Sequence, residues 1–382
     1  MAADNDSLRS KIAETIRREG PIPFSRYMAM CLYEPEIGYY TRPREQFGKA
    51  GDFYTSSDVH AVYGRLMCRQ FEQMWRVLGS PPRVDILELG PGRGFFAADV
   101  LDWAQKKFPG FATSLRYRLV ETSEYLRKRQ KERLASQVER KIVGVFATIE
   151  EAAKKLGDNV IVFGNEFFDA LPVEVVTSEG QIYIDVNQRG QFVETTRPVA
   201  NHLLEFIDRY SVQPEDGARV EAAPGVVEWM KRISGVLAQR RGFSVFVDYG
   251  YTREEQVAGR HLDTIMTYRQ HTASPNVFAA PGEQDITAHV NFTALRAVAR
   301  NSGLEELGLL TQSSFLIGVG EANEFADAFE DARLPQERAK VALQLKHLVT
   351  PDGIGETFQV LVLGKGVGRN EAKKLSGLKF AH

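Results

Sequence analysis

The sequence predicts an α/β fold: a mostly parallel sheet with helices on both faces, preceded by helices and interrupted by a β-rich insertion. Three observations carry this. From Arg83 onward, short apolar runs alternate with amphipathic stretches of helical length, the pattern of strand–helix–strand units. The run Val84-Asp85-Ile86-Leu87 leads to Glu88 and then to Gly90, Gly92 and Gly94. It reads as a buried strand turning through glycines into a helix that opens at Phe95. Finally, 43% hydrophobic and 26% charged residues over 382 positions are globular proportions, in a chain long enough for two domains or one enlarged one.

The elements follow in order. A helix over 7–20 has Ser7 as its N-cap, apolar Leu8, Ile12 and Ile16, and Gly20-Pro21 as its stop. A second helix starts at Ser25 and a third runs from Asp58 to Leu78. Between them lies a polar, glycine-rich loop, Pro43 to Thr55, long enough to be functional. Strands are expected at 84–89, 116–121, 159–164, 243–248, 309–317 and 357–364, and helices at 94–107, 123–135, 226–240 and 292–302. Residues 173–200 break the alternation with short strands joined by Glu179-Gly180 and Arg189-Gly190 turns. An insertion after the strand at 159–164 falls at the carboxyl edge of the sheet, where ligands bind in such folds. A second departure, 250–291, is rich in Tyr, His, Gly and Pro. The chain thus reads as a helical region with a covering loop (1–82), a core (83–172 and 236–365, with the insert at 250–291), a β-rich cap (173–235) and a tail (366–382).

Composition narrows the partners. With 48 basic and 50 acidic residues the net charge is −2, so no global field points to nucleic acid. The basic run Arg127-Lys128-Arg129 with Lys131 and Arg133 alternates with acids and reads as a solvated helix face. Cys31 and Cys68 give no disulfide framework and read as small core residues in a reducing compartment. The acidic start lacks the marks of a signal or transit peptide, and no apolar run approaches the roughly 18 residues of a membrane span. The expectation is a cytoplasmic protein of the bacterial cytosol, with no membrane partner. Seven scattered histidines and the absence of metal-ligand spacing predict no metal site. Apolar residues in the inserts suggest a homodimer.

The candidate chemistry lies at the ends of the strands. A dinucleotide fingerprint requires G-x-G-x-x-G, and here its last glycine is replaced by Phe95. Glu88-x-Gly90-x-Gly92-x-Gly94 instead resembles the first motif of S-adenosylmethionine-dependent methyltransferases. There the turn passes under the methionine part of the cofactor, whose ammonium needs acceptors nearby. Glu121, at the tip of the next strand, can accept from both ribose hydroxyls. The strand at 159–164 runs into Asn165, Glu166 and Asp169 before Pro172 stops it. A guanidinium stays protonated, so methylating one requires carboxylates that hold its planar fork and accept the lost proton. Glu166 and Asp169 have that chemistry, and the same acids can equally grip the cofactor's amino group. Asp285 and His289, at i and i+4, are expected on one helix face, as a core histidine with its carboxylate or as a base. Tyr249 and Tyr251 either stack on the adenine, line the acceptor pocket or simply pack.

Six segments then occur together: Gly51-Asp52-Phe53-Tyr54-Thr55, Glu88-Leu89-Gly90-Pro91-Gly92-Arg93-Gly94, Val120-Glu121-Thr122-Ser123, Asn165-Glu166-Phe167-Phe168-Asp169-Ala170-Leu171-Pro172, Asp248-Tyr249-Gly250-Tyr251 and Asp285-Ile286-Thr287-Ala288-His289-Val290-Asn291-Phe292. In this order they resemble the MidA-type methyltransferases, over residues 8 to 365. The resemblance implies a Rossmann-like, seven-stranded class I methyltransferase core using S-adenosyl-L-methionine, with protein arginine as acceptor and Glu166 and Asp169 as catalytic residues. It implies cofactor contacts from Glu88, Gly90, Gly92, Gly94, Glu121 and Asn165, and from Asp52 in a loop that closes over the site. Two departures stand out: Phe95-Phe96 where the family often has Thr-Leu, and Arg260-His261-Leu262-Asp263-Thr264 in place of a glycine-threonine-leucine run. Methylation of a small molecule, or an assembly chaperone that keeps the cofactor fold, are the alternative readings.

Overall fold

The computed structural model describes residues 3–43 and 61–381. These fall into two compact units, each built from separated stretches of chain.

The larger unit joins residues 61–167 to Lys231–Tyr249 and to the stretch from Ala299 onward. The main path of its sheet has seven strands, here numbered in chain order: β1 (Val84–Leu89), β2 (Leu115–Val120), β3 (Val143–Phe146), β4 (Asn159–Asn165), β5 (Arg241–Tyr251), β6 (Glu305–Thr311) and β7 (Phe358–Lys365); Val290–Asn291 adds a short parallel pairing at the end of β5. They lie in the order β6-β7-β5-β4-β1-β2-β3. Neighbours from β5 to β3 pair in parallel, while β7 is antiparallel to both β5 and β6. The order reverses between β1 and β4, so the carboxyl ends of these two strands border the crevice in which ligands bind. This is the Rossmann-like, seven-stranded arrangement that the resemblance implies.

Every residue of β1 is buried, including Asp85 and Glu88, because helices cover both faces of a central parallel strand. Asp85 is neutralised by Arg83 at 2.9 Å and Arg118 at 3.1 Å and accepts the Gly157 N–H. Phe96 stacks on Phe163 with ring centroids 4.5 Å apart, and Phe71 and Tyr63 close the same aromatic cluster. Of the departing pair Phe95-Phe96, the second is therefore a core residue. The first lies between two cations, the Arg133 guanidinium 3.5 Å and the Arg93 guanidinium 4.6 Å from its ring centroid.

Three elements differ from the sequence reading. The stretch 309–317 is not one strand: β6 ends at Thr311, whose hydroxyl accepts the Ser314 N–H and caps a helix, Gln312–Glu321. The four-residue β3 and the helix Pro335–Val349 lack a strong apolar pattern and were not foreseen; only Leu345 and Leu348 of that helix are buried. The stretch 366–381, read as a tail, has fixed partners. The buried Gln70 accepts the Gly377 N–H at 2.8 Å, and Gln73 accepts from Ser376, tying it to the helix Ala61–Val77.

The smaller unit joins the described residues before 44 to Phe168–Met230 and Gly250–Val298. Its helices Ala3–Glu19 and Phe24–Tyr33 bury Leu8, Ile12, Ile16, Tyr27 and Met28 against the hairpin strands Glu174–Thr177 and Gly180–Val186. The first helix starts at Ala3, so Ser7 lies inside it and is not the cap; its stop at Gly20, with φ +84° and a bond from its N–H to Ile16, is as read. A five-stranded antiparallel sheet and a three-stranded one fill the segments read as β-rich and irregular, with an amphipathic helix, Asn201–Tyr210, between strands. Helix Ala61–Val77 groups with the large sheet and 250–298 with the N-terminal helices, a different division from the sequence segments. No described helix is long and apolar enough to cross a membrane.

Candidate active site

The turn after β1 holds Gly90, Gly92 and Gly94 at φ +65°, +52° and +74°. Such values suit glycine, and two neighbours add a spatial reason. A Cβ on Gly90 would stand 3.1 Å from the Phe167 ring, and one on Gly94 3.3 Å from the Gln130 side chain. Gly94 opens the helix Phe95–Lys107. Gln130 Nε2 donates to the Gly92 carbonyl at 2.6 Å and Arg133 to the Arg93 carbonyl at 3.0 Å, so a second helix, Glu124–Arg133, pins the turn from outside.

Two buried acids flank this turn. Burial pushes the Glu88 carboxyl up to about 8; the Tyr117 hydroxyl beside it opposes the rise and the charge of Glu121 adds to it. Glu88 Oε2 is buried with no hydrogen-bond partner among the described residues, a spare acceptor. Burial likewise pushes Glu121 up to about 7, against the Ser123 N–H at 2.9 Å, the Arg127 charge and the N–H groups of Thr122 and Gly92. Both acids have an ordinary value of 4.5. Above 4.5 and up to about 7 to 8, the folded chain therefore holds more protons than the unfolded one. Stability without cofactor is expected to fall as pH rises through that window, by up to about 1.4 kcal/mol per pH unit for each retained proton. Denaturant titrations at several pH values check this. Glu88→Gln should flatten the slope, and a flat wild-type profile would contradict the burial of these acids.

At the end of β4 the chain makes a strained turn. Glu166 sits at φ +50°, uncommon for a residue with a side chain, and its N–H bonds the Val247 carbonyl at 2.8 Å. The next N–H, of Phe167, donates to Asp248 Oδ2 at 3.1 Å, while Asp248 Oδ1 accepts from the Tyr249 N–H at 3.1 Å. The buried Asp248 thus braces β4 against β5. Asn165 Nδ2 donates to Glu166 Oε1 at 2.9 Å, and Asn165 Oδ1 accepts from the Tyr63 hydroxyl at 2.8 Å. Glu88, the glycine turn, Glu121, Asn165 and Glu166 all belong to the larger unit. Sequence reading missed Tyr63 and did not give Asp248 a role; Asp248 stood in a quoted motif, whereas nothing local marks Tyr63.

The remaining expected residues lie elsewhere. Asp169 is buried in the smaller unit, and its carbonyl accepts the Ala288 N–H at 3.0 Å. Asp52 lies outside the described residues. Asp285 and His289 do not share a helix face: Asp285–Thr287 and Val290–Asn291 are short strands, whose β-branched Ile286, Thr287 and Val290 suit extended backbone. Asp285 accepts the Tyr40 hydroxyl with both oxygens, at 2.8 and 2.9 Å. His289 Nδ1 faces His261 Nδ1 at 3.0 Å, and burial with the charge of His261 pushes it down to about 4. Tyr251 stacks on His261 with centroids 5.5 Å apart, and Tyr249 packs edge-on against Phe358.

Three left-handed glycines, a spare buried acceptor before them and an acid beyond the neighbouring strand form a cradle for an extended ligand bearing a cation and hydroxyls. A family model described as S-adenosyl-L-methionine-dependent methyltransferase matches residues 66–310. The chain belongs to this family. It is a methyltransferase, and its cofactor is S-adenosyl-L-methionine. The protein arginine methyltransferase NDUFAF7 homolog of Drosophila melanogaster, a mitochondrial protein, is 30% identical over 94% of this chain and 84% of its own. The Danio rerio protein arginine methyltransferase NDUFAF7, also mitochondrial, is 28% identical over 93% of this methyltransferase and 86% of its own length. A Burkholderia thailandensis superfamily protein bound to S-adenosyl-homocysteine superposes with a TM-score of 0.82 at 26% identity, covering 99% of this chain and 96% of that one.

Proposed function

We propose that this methyltransferase transfers its methyl group to an arginine side chain of a protein. The observation that carries the reading is the Glu166 carboxylate, presented from a strained backbone at the end of β4 and held on one oxygen by Asn165. Strained residues with fixed side chains mark sites where position is needed for chemistry. The names of the fly and zebrafish relatives support the same acceptor.

The cofactor contributes an electrophilic methyl carbon on a sulfonium sulfur. Gly90, Gly92 and Gly94 would let the backbone approach it, Glu88 would take its ammonium, Glu121 would accept from the ribose hydroxyls, and Asn165 would fix the rim of the crevice. Deprotonated, Glu88 and Glu121 meet that cationic and hydroxyl surface with charge. Glu166 binds the acceptor's guanidinium fork, aims one nitrogen at the methyl carbon and biases the lone pair toward it. On methylation the nitrogen would give up its proton to this carboxylate.

The test is transfer of labelled methyl from S-adenosylmethionine to arginine-glycine peptides and to cell-extract protein, followed by acid hydrolysis. Label in methylarginine is expected. Label confined to another residue or to small molecules would overturn the arginine reading. No label from protein that binds S-adenosylhomocysteine normally would favour a binding-only assembly role.

A further inference from the structure

We propose that Tyr63 is a positioning residue for methyl transfer, one that fixes the Glu166 carboxylate by locking the orientation of the Asn165 amide. The inference rests on the acceptor role given to Glu166 above.

Tyr63 belongs to helix Ala61–Val77 and stands 102 positions from Asn165 in the chain. Its ring is fully buried, tilted against Phe96 at 5.7 Å, so its hydroxyl is aimed by packing. That hydroxyl donates to Asn165 Oδ1 at 2.8 Å, and Asn165 Nδ2 donates to Glu166 Oε1 at 2.9 Å. A primary amide has two orientations that differ only by exchange of oxygen and nitrogen. A carboxylate only accepts, so it demands the nitrogen; a protonated phenol facing the other end supplies a donor to the oxygen. Burial and the charges of Glu166 and Glu88 push the Tyr63 hydroxyl well above its ordinary range, so it remains a donor wherever the enzyme works. The chain of two bonds admits one amide orientation, and each bond polarises the next. Asp248 braces the main chain of the same turn through the Phe167 N–H. Backbone and side chain of Glu166 are thus held from different elements. Without the phenol the amide can reverse, setting its oxygen against the carboxylate and displacing it.

The test compares Tyr63→Phe with wild type in the full chain, using two readouts. The first is the side-chain amide signal of Asn165 in the cofactor-free protein, by proton–nitrogen NMR, assigned from its loss in Asn165→Asp. It is expected to be sharp and exchange-protected in wild type, and shifted and broadened in Tyr63→Phe. The second is methyl transfer to an arginine-glycine peptide. Here kcat is expected to fall about ten- to a hundredfold, the scale of a misplaced reacting group, while S-adenosylhomocysteine affinity stays within about twofold. In a Glu166→Gln background the same change should have almost no further effect. An unaltered Asn165 signal, or an equal kcat loss in both backgrounds, would overturn the relay. Full transfer by Glu166→Gln itself would instead remove the acceptor reading, and the amide signal would still decide whether Tyr63 sets Asn165.

Discussion

Gly90→Val is expected to abolish cofactor binding while leaving the chain folded. Gly90 sits at φ +65°, where a β-branched residue is a severe outlier. The added side chain would also enter space 3.1 Å from the Phe167 ring. Phe167 directly follows Glu166, so the collision is transmitted to the turn that carries the acceptor carboxylate. Relieving it moves either the glycine turn or the end of β4, and both border the crevice. Calorimetric titration with S-adenosylhomocysteine should show a loss of at least about a hundredfold in affinity, near 2.7 kcal/mol. Circular dichroism should report native secondary structure, since the turn lies at the rim of a sheet whose core it does not fill. Affinity within a few-fold of wild type would refute the assignment of this turn as the cofactor cradle.

Glu166→Gln should separate binding from chemistry. Glutamine has nearly the same shape, and its oxygen can still accept from Asn165 Nδ2, so the strained turn and the Tyr63 contact should persist. What disappears is the charge that grips a guanidinium and the base that takes its proton. A fall in kcat of about 10²- to 10⁴-fold is expected, with S-adenosylhomocysteine affinity changed by less than about threefold. Asp169→Asn, measured beside it, shows whether that carboxylate contributes to transfer at all. An undiminished kcat would show that Glu166 neither holds the acceptor nor accepts its proton, without touching membership of the family.

Much of this was legible in the sequence because strands buried on both faces appear as largely apolar runs, whichever way they pair. Val84–Leu89, Asn159–Asn165 and Phe358–Lys365 all lie within a residue of the expected bounds. The glycine turn was equally plain, since three left-handed residues in a row of alternating positions leave little choice but glycine. Legibility failed where a cap stood between two apolar runs. Leu309-Leu310 and Phe315-Leu316-Ile317 were joined across the polar Thr311-Gln312-Ser313-Ser314, yet Thr311 ends one element and caps the next. It also failed where i, i+4 spacing suggested a helix. Between Asp285 and His289 the β-branched Ile286 and Thr287 were the contrary signal, outweighed by the attraction of an Asp–His pair. Tyr63 and its bond to Asn165 could not have been read locally, because a contact across 102 positions exists only once the helix has packed.

The placement of β7 bears on how such a chain is made. β7 lies between β5 and β6, pairing with β5 from Gly242↔Lys365 to Tyr249↔Phe358, and β6 joins the sheet only through it. During synthesis from the amino end, β1 through β4 can pair as soon as they emerge. β5 then waits with one edge open, and β6 has no strand to dock on, until Phe358–Lys365 leaves the ribosome. Open strand edges recruit other chains. The interval between translating β5 and translating β7, more than a hundred codons, is therefore when a nascent copy is most exposed to aggregation and to capture by chaperones.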